Sequence, residues 1–277
     1  WYNIETTQHN RTGMMQKKIK KIILKKKKSK IVCLTAYSKN VAKILDKHCD
    51  IVLVGDSMAN VLYGMSNTHQ LKLSNIIQHS ISVRKGIKRS LMVVDMPKGS
   101  YSNPTQARNN AKLIIKKTKC DAVKIESNNK NFKIIKEIIK AKIPVMGHIG
   151  FTPQFKTKFK VEGKNNLEIK KLIEEAISIE KAGAFSIVLE CVTPSTSRII
   201  TNTIKIPTIG IGSSSYCDGQ VLVTDDILGL SGFYPKFIKR YANLSKIIEN
   251  AVKKYSKDVR TKVFPNNKNF FNKFCRR

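Results

Sequence analysis

Ionisable side chains stand at the ends of several apolar runs in this chain. Asp56 closes DIVLVGDS, Asp95 closes SLMVVDMP, Lys124 and Glu126 lie two apart in AVKIES, and Glu190 follows Ile187, Val188 and Leu189 directly. A charge taken out of water is costly unless it is paired or has a task. Asp56 and Asp95 are short carboxylates suited to two corners of an octahedral Mg2+ site, whose other corners go to water and substrate oxygens. Glu126 could be a third ligand, directly or through water. Lys124 points the same way as Glu126 on a strand and can grip a substrate carboxylate. Any one of these acids could equally cap a helix or pair with a surface lysine. Glu190, set against apolar neighbours, has its ionised form disfavoured, which moves its pKa toward the range of a base that takes a proton from carbon. His148 in GHIG reads as a group that hydrogen-bonds the reacting residues more readily than as a catalyst. Gly210 and Gly212 resemble a phosphate cradle, although glycine also serves tight turns. The sum is metal-assisted chemistry on a small oxo acid, with one carboxylate removing a proton next to a polarised carbonyl.

Residues so far apart in sequence meet only if the fold gathers them. Eight apolar runs recur with helical stretches between them: 30–37, 50–57, 90–97, 122–127, 144–150, 186–191, 207–213 and, less clearly, 221–230. They are nearly continuous, as expected of parallel strands covered on both faces. Amphipathic patterns at 40–47, 73–84, 105–117, 132–140 and 167–182 predict intervening helices. Eight such units predict an α/β fold, a (β/α)8 TIM barrel, whose C-terminal strand ends share one mouth. The alternative is an open, doubly wound sheet. The expected organisation is an unstructured extension or leader over 1–15, a single barrel domain over 16–266 and a basic tail over 267–277.

The 277 residues carry 52 Lys and Arg against 19 Asp and Glu, a formal charge of +33. That charge invites a nucleic-acid reading, but 43 of the basic residues are Lys and 9 are Arg, the reverse of what bidentate phosphate or base recognition favours. No zinc-finger, RNP or KH pattern accompanies it, so no specific nucleic acid is expected. The six cysteines include no C-x-x-C pair and read as the reduced thiols of a cytoplasmic protein. No run is long and apolar enough to cross a bilayer, and no membrane association is expected.

Ordered segments carry a family resemblance: LVGDS (53–57), VKIE (123–126), PVMGHIGFTPQ (144–154), KVEGK (160–164), KAGAFSIVLECV (181–192), IPTIGIG (206–212) and CDGQVLV (217–223). Over about residues 16–266 the chain resembles the ketopantoate hydroxymethyltransferase family (3-methyl-2-oxobutanoate hydroxymethyltransferase). The resemblance implies a (β/α)8 barrel that moves a hydroxymethyl group from 5,10-methylenetetrahydrofolate to 3-methyl-2-oxobutanoate, giving 2-dehydropantoate for pantothenate. It implies Asp56 and Asp95 as Mg2+ ligands that also meet substrate, and Glu126 as the third metal-associated acid. It further implies Ser57 and Lys124 as substrate-binding groups, Glu190 as proton acceptor, and a homo-oligomer, a decamer in that family.

The chain departs from the family pattern at Ala59, Asn60, Lys98, Ser127, Asn128, Ser213 and Ser214, all in loops around the expected mouth. The rival reading is a related metal-dependent lyase or mutase barrel acting on phosphoenolpyruvate-like substrates, against which the VLEC segment with Glu190 argues. The lysine excess adds an expectation of its own, because a basic surface raises the encounter rate with anionic substrates. In steady-state assays kcat/KM for the oxo acid should fall several-fold as salt rises from about 0.01 to 0.15 M, over which the screening length shortens from roughly 30 to 8 Å. An unchanged kcat/KM would leave the charge without a kinetic role.

Overall fold

The computed structural model describes residues 2–127, 132–232 and 234–271, with side chains described from residue 13 onward. It divides into two compact units, one running up to Thr224 and the other from Asp225. All eight strands lie in the first. They are β1 (Ile31–Thr35), β2 (Ile51–Val54), β3 (Leu91–Asp95), β4 (Ala122–Glu126), β5 (Val145–Gly150), β6 (Ser186–Glu190), β7 (Thr208–Ile211) and β8 (Gly219–Leu222). Each pairs in parallel with its sequence neighbour, and β8 closes on β1. The barrel is therefore closed, which excludes the open-sheet alternative.

Helix α1 (Tyr2–Leu24) precedes the barrel. Between the strands lie α2 (Lys39–Leu45), α3 (Met58–Val61), α4 (Leu73–Arg84), α5 (Pro104–Thr118), α6 (Phe132–Lys140), α7 (Asn166–Ala182) and α8 (Pro194–Thr203), with a 3-10 turn at Thr68–Gln70. Local chemistry sets their ends. The Asn103 side chain accepts the Gln106 N–H with Pro104 in the first turn, and the Asn165 side chain accepts the Glu168 N–H. Gly183, at φ 100, stops α7 in the left-handed conformation that glycine adopts without strain. The short α9 (Thr224–Ile227) and α10 (Leu244–Arg260) follow. Within the second unit, Asn243 caps α10 by accepting the Lys246 N–H, and Ser245 Oγ donates to Gly229 O.

Strand alternation divides the apolar residues into two layers. Val52, Val54, Met92, Val94, Val123, Ile125, Ile149, Ile187 and Leu189 face outward into one cluster with the helices. Ile31, Cys33, Ile51, Leu53, Leu91, Val93, Ala122, Met146, Val188, Ile209 and Val221 fill the lumen. The inward parity of β3, β4, β5 and β6, continued to the C-terminal ends, lands on Asp95, Lys124 and Glu126, His148, and Glu190. Apolar layers below and polar groups at the rim are thus one pattern read upward.

The opposite end is closed by α1. Its Ile22 is 2% exposed and packs into the lumenal cluster. Lysines tie this segment to aspartates that precede strands: Lys18 Nζ lies 3.5 Å from Asp121 Oδ2, Lys25 Nζ 2.7 Å from Asp50 Oδ1 and Lys26 Nζ 2.8 Å from Asp218 Oδ2. The same aspartates accept N–H groups of neighbouring strand starts, at Met92, Val32 and Thr208. Part of the lysine excess is therefore structural.

Two expectations are corrected. Residues 2–15, read as unstructured, belong to α1, which runs unbroken by proline into the stretch anchored by Ile22. The eighth strand is Gly219–Leu222, earlier than the run over 221–230, and Thr224–Ile227 is helical. A Cβ on Gly219 would lie 2.5 Å from Ile31 O, so the glycine is what lets β8 approach β1. The basic tail falls largely outside the described residues.

Asp218 is the most connected of these bottom latches, and a buried pair broken on one side leaves its partner charge uncompensated. Asp218→Ala should lower the unfolding free energy by about 3 kcal/mol in urea denaturation. A loss well under about 1 kcal/mol would mean that the latch carries no stability.

Candidate active site

Register brings the rim groups together before any side-chain contact is considered. Asp95 stands opposite Lys124, Glu126 opposite His148, and Gly150 opposite Glu190. Lys124 Nζ donates to Asp95 Oδ1 at 2.7 Å, both side chains being almost wholly buried. The other Asp95 oxygen, Oδ2, accepts the Asp56 N–H at 2.9 Å. This bond ties the turn after β2 to the end of β3. The Asp56 Oδ2 atom accepts from Gln154 Nε2 at 2.8 Å, and Glu126 Oε2 accepts the Gln154 N–H at 2.9 Å.

His148 stands between the two glutamates. Its Nδ1 is 3.6 Å from Glu126 Oε1 and its Nε2 is 3.2 Å from Glu190 Oε2. Ser57 and the Tyr37 hydroxyl lie 2.8 Å apart, Oγ to Oη. The structure thus brings together Asp56, Ser57, Asp95, Lys124, Glu126 and Glu190, with His148 beside the acids.

Backbone conformation shapes the same rim. Gly150 has φ 92, and a Cβ there would fall 2.2 Å from Glu190 O, the carbonyl that accepts the Phe151 N–H at 2.8 Å. Glycine is therefore required for the β5 exit to lie against the end of β6. Cys191 follows Glu190 at φ 52, a left-handed conformation that is costly for a residue with a Cβ. That turn directs the chain away immediately after the glutamate. At Gly210 a Cβ would meet Cys217 Sγ and Gln220 Oε1 at 3.1 Å, so its smallness serves packing.

The electrostatics follow from four acids around one ammonium. Burial pushes the Glu190 carboxyl up to about 7, with Lys124 opposing and Asp95 adding to the shift. Burial, and then the Asp95 charge, raises Asp56, while burial and the Asp56 charge hold Glu126 well above the usual carboxylate range. For Lys124, burial disfavours the ammonium, but Asp95, Asp56 and Glu126 together outweigh it and hold its pKa above the ordinary lysine value. His148 is held well below its ordinary value, by burial first and by Lys124 next, so its imidazole is neutral at pH 7.

Such a mouth has an excess of buried carboxylate oxygen, the donor type that a hard divalent cation takes. Among the described residues, no three His, Cys, Asp or Glu side chains converge closely enough to hold an ion by themselves. Asp56 and Asp95 would hold such an ion only together with water and substrate oxygens. Glu126, held by the Gln154 N–H, would act through water.

The loop departures are absorbed locally. Ala59 is buried, and Asn60 Nδ2 donates to Met65 O. Lys98 Nζ lies 3.3 Å from His69 Nδ1, and Ser127 Oγ donates to Glu175 on α7. Ser213 Oγ donates to Leu189 O and accepts the Val192 N–H, bracing the segment around Glu190, while Ser214 Oγ accepts the Tyr216 N–H. Asn128 lies outside the described residues. Sequence reasoning gave no role to Gln154 or to Tyr101, whose hydroxyl donates to Gln154 Oε1 at 2.5 Å. The position of Gln154, just past the end of β5, was the available signal.

Solved structures with the same architecture include 2,3-dimethylmalate lyase, a PEP mutase/isocitrate lyase superfamily member. It matches at TM-score 0.60 and 13% identity over 94% of this chain and 92% of its own. A phosphonopyruvate hydrolase solved with oxalate and Mg2+ matches at TM-score 0.59 and 11% identity, over 91% and 93% of the two chains. At these identities the likeness is one of fold. In sequence, the chain is 54% identical to the 3-methyl-2-oxobutanoate hydroxymethyltransferase of Pelagibacter ubique (strain HTCC1062) over 257 residues, covering 93% of this chain and 100% of that one. It is 47% identical to the enzyme of the same name from Phenylobacterium zucineum (strain HLK1), over 85% and 87% of the two chains. The family model described as ketopantoate hydroxymethyltransferase matches residues 16–267, which takes in every strand of the barrel and every residue of its acidic mouth, and the chain belongs to that enzyme family.

Proposed function

We propose that this chain transfers a hydroxymethyl group from 5,10-methylenetetrahydrofolate to 3-methyl-2-oxobutanoate, giving 2-dehydropantoate for pantothenate synthesis. The observation that carries the reading is Glu190, a carboxyl raised to about 7, facing the same mouth as Asp56, Asp95 and Lys124. A base of that pKa is half ionised near neutrality, where it is matched to taking a proton from carbon.

The geometry supports a role for each residue of the mouth. Lys124, held charged by its carboxylate neighbours, attracts the anionic oxo acid and neutralises part of the acidic mouth. Ser57, linked to Tyr37, offers a hydroxyl to the substrate. Asp56 and Asp95 would hold Mg2+, with Glu126 at one remove. When bound, Mg2+ supplies Lewis-acid polarisation of the oxo acid's carbonyl. Water cleaves the two C–N bonds that hold the folate's one-carbon unit, its oxygen going to carbon and its hydrogens to the two nitrogens, so that tetrahydrofolate leaves and formaldehyde remains. Glu190 takes the proton from C3, the electron pair left on C3 bonds to the formaldehyde carbon, and the resulting alkoxide takes up the proton held by Glu190. His148, neutral and beside Glu190 Oε2, keeps the base from meeting a second charge at that edge. The reading includes a cytoplasmic homo-oligomer, a decamer by family resemblance. Among the described residues no helix is long and apolar enough to cross a membrane.

Deuterium exchange at C3 of 3-methyl-2-oxobutanoate isolates the proton transfer. Glu190→Gln should slow it by roughly 10²-fold or more, the scale of a positioned general base. An unchanged exchange rate would assign the base elsewhere. In the wild-type chain the exchange rate should climb about tenfold per pH unit below pH 7 and level off above it, because the base acts when deprotonated and its pKa is about 7. A profile flat from pH 5 to 8 would contradict a raised Glu190.

A further inference from the structure

We infer that Gln154 is the positioning residue that sets the aim of the acidic mouth, an inference that rests on the function proposed above. The residue is 1% exposed and makes four directed hydrogen bonds. Its Nε2 donates to Asp56 Oδ2 at 2.8 Å and to Met96 O at 3.1 Å. Its Oε1 accepts from the Tyr101 hydroxyl at 2.5 Å, and its backbone N–H donates to Glu126 Oε2 at 2.9 Å. Met96 follows Asp95 directly, so one residue bonds to the exits of β2, β3 and β4.

The orientation of the amide is fixed by its neighbours. The Met96 carbonyl, which cannot donate, and the Asp56 carboxyl oxygen face one end of the group, so that end must be the NH2. The other end is then the oxygen, and Tyr101 must be the donor. Tyr101 is itself 3% exposed, and its hydroxyl is held protonated by burial and by the charges of Glu126, Asp56 and Asp95. Reversal of the amide would set its carbonyl against the Asp56 carboxyl and the Met96 carbonyl and lose both of those bonds together.

This arrangement assigns the oxygens of the acids. On Asp56, Oδ2 faces Gln154, so Oδ1 is the oxygen that would meet a cation or substrate. On Glu126, Oε2 faces the Gln154 N–H, while Oε1 is the oxygen beside His148. The side chain of Gln154 touches no reacting atom in this scheme. It acts through Asp56, and its main chain acts through Glu126.

Gln154→Met keeps the length of the side chain and removes its donors and acceptor, while Tyr101→Phe keeps the amide and removes only the group that orients it. Two readouts apply: the Mn2+ dissociation constant by electron paramagnetic resonance, and C3 exchange of 3-methyl-2-oxobutanoate at saturating substrate. A hydrogen bond to a charged group is strong enough that its loss should weaken Mn2+ binding and slow exchange about ten- to hundredfold in Gln154→Met. Tyr101→Phe should move both in the same direction by a smaller factor, with cooperative unfolding retained. Wild-type values of both in Gln154→Met overturn the assignment. If that variant does not fold, wild-type values in Tyr101→Phe overturn it. A wild-type chain that exchanges no C3 proton defeats the underlying functional reading instead.

Discussion

The buried Lys124–Asp95 pair is the interaction on which the mouth depends. The Lys124 ammonium stands among Asp56, Asp95, Glu126 and Glu190, and among the described residues its ion pair is with Asp95, at 2.7 Å. The remaining negative charge is under-compensated in a poorly solvated site, which is why burial dominates the upward shifts at Asp56, Glu126 and Glu190. A cluster of this kind costs stability in isolation and is tolerable where a cation or anionic substrate completes it. Without Lys124, Asp95 would lose its ionic partner and the bond from Asp95 to the Asp56 N–H would have less to hold it in place.

The barrel supplies what the pair needs. Parallel register sets Asp95 beside Lys124 and Glu126 beside His148 without long side chains having to search for each other. Inward parity stacks these groups over lumenal Ala122, Met146 and Val188, which exclude water from below. At the far end, Lys18, Lys25 and Lys26 lock α1 to the strand starts, so stability and chemistry occupy opposite faces. The +33 charge thus coexists with an acidic site because the two lie in different places.

Much of this was legible in the sequence. Runs such as AVKIES and SIVLEC show the strand and its polar end in the same few residues, and the two-residue spacing of Lys124 and Glu126 shows that they share a face. The eighth strand was misplaced because Gly219 and Gln220 carry no apolar signal and the strand is selected by close approach to Ile31. The first part of helix α1 was missed because residues 2–15 are mostly polar and show no apolar period of their own, the helix being anchored further on at Ile22. Gln154 and Tyr101 were invisible as a unit: their bonds to each other and to Asp56 span 53 and 98 residues, and neither residue type announces chemistry.

On the function proposed, the acidic mouth works with a divalent cation to make a carbon–carbon bond at C3 of the oxo acid. Purified protein, incubated with 3-methyl-2-oxobutanoate and 5,10-methylenetetrahydrofolate, tests it through the appearance of 2-dehydropantoate followed by mass spectrometry. Product is expected in the presence of Mg2+, with suppression by EDTA and return when Mg2+ is added in excess. Product formed at the same rate in EDTA, or none with both substrates and Mg2+ present, would contradict it.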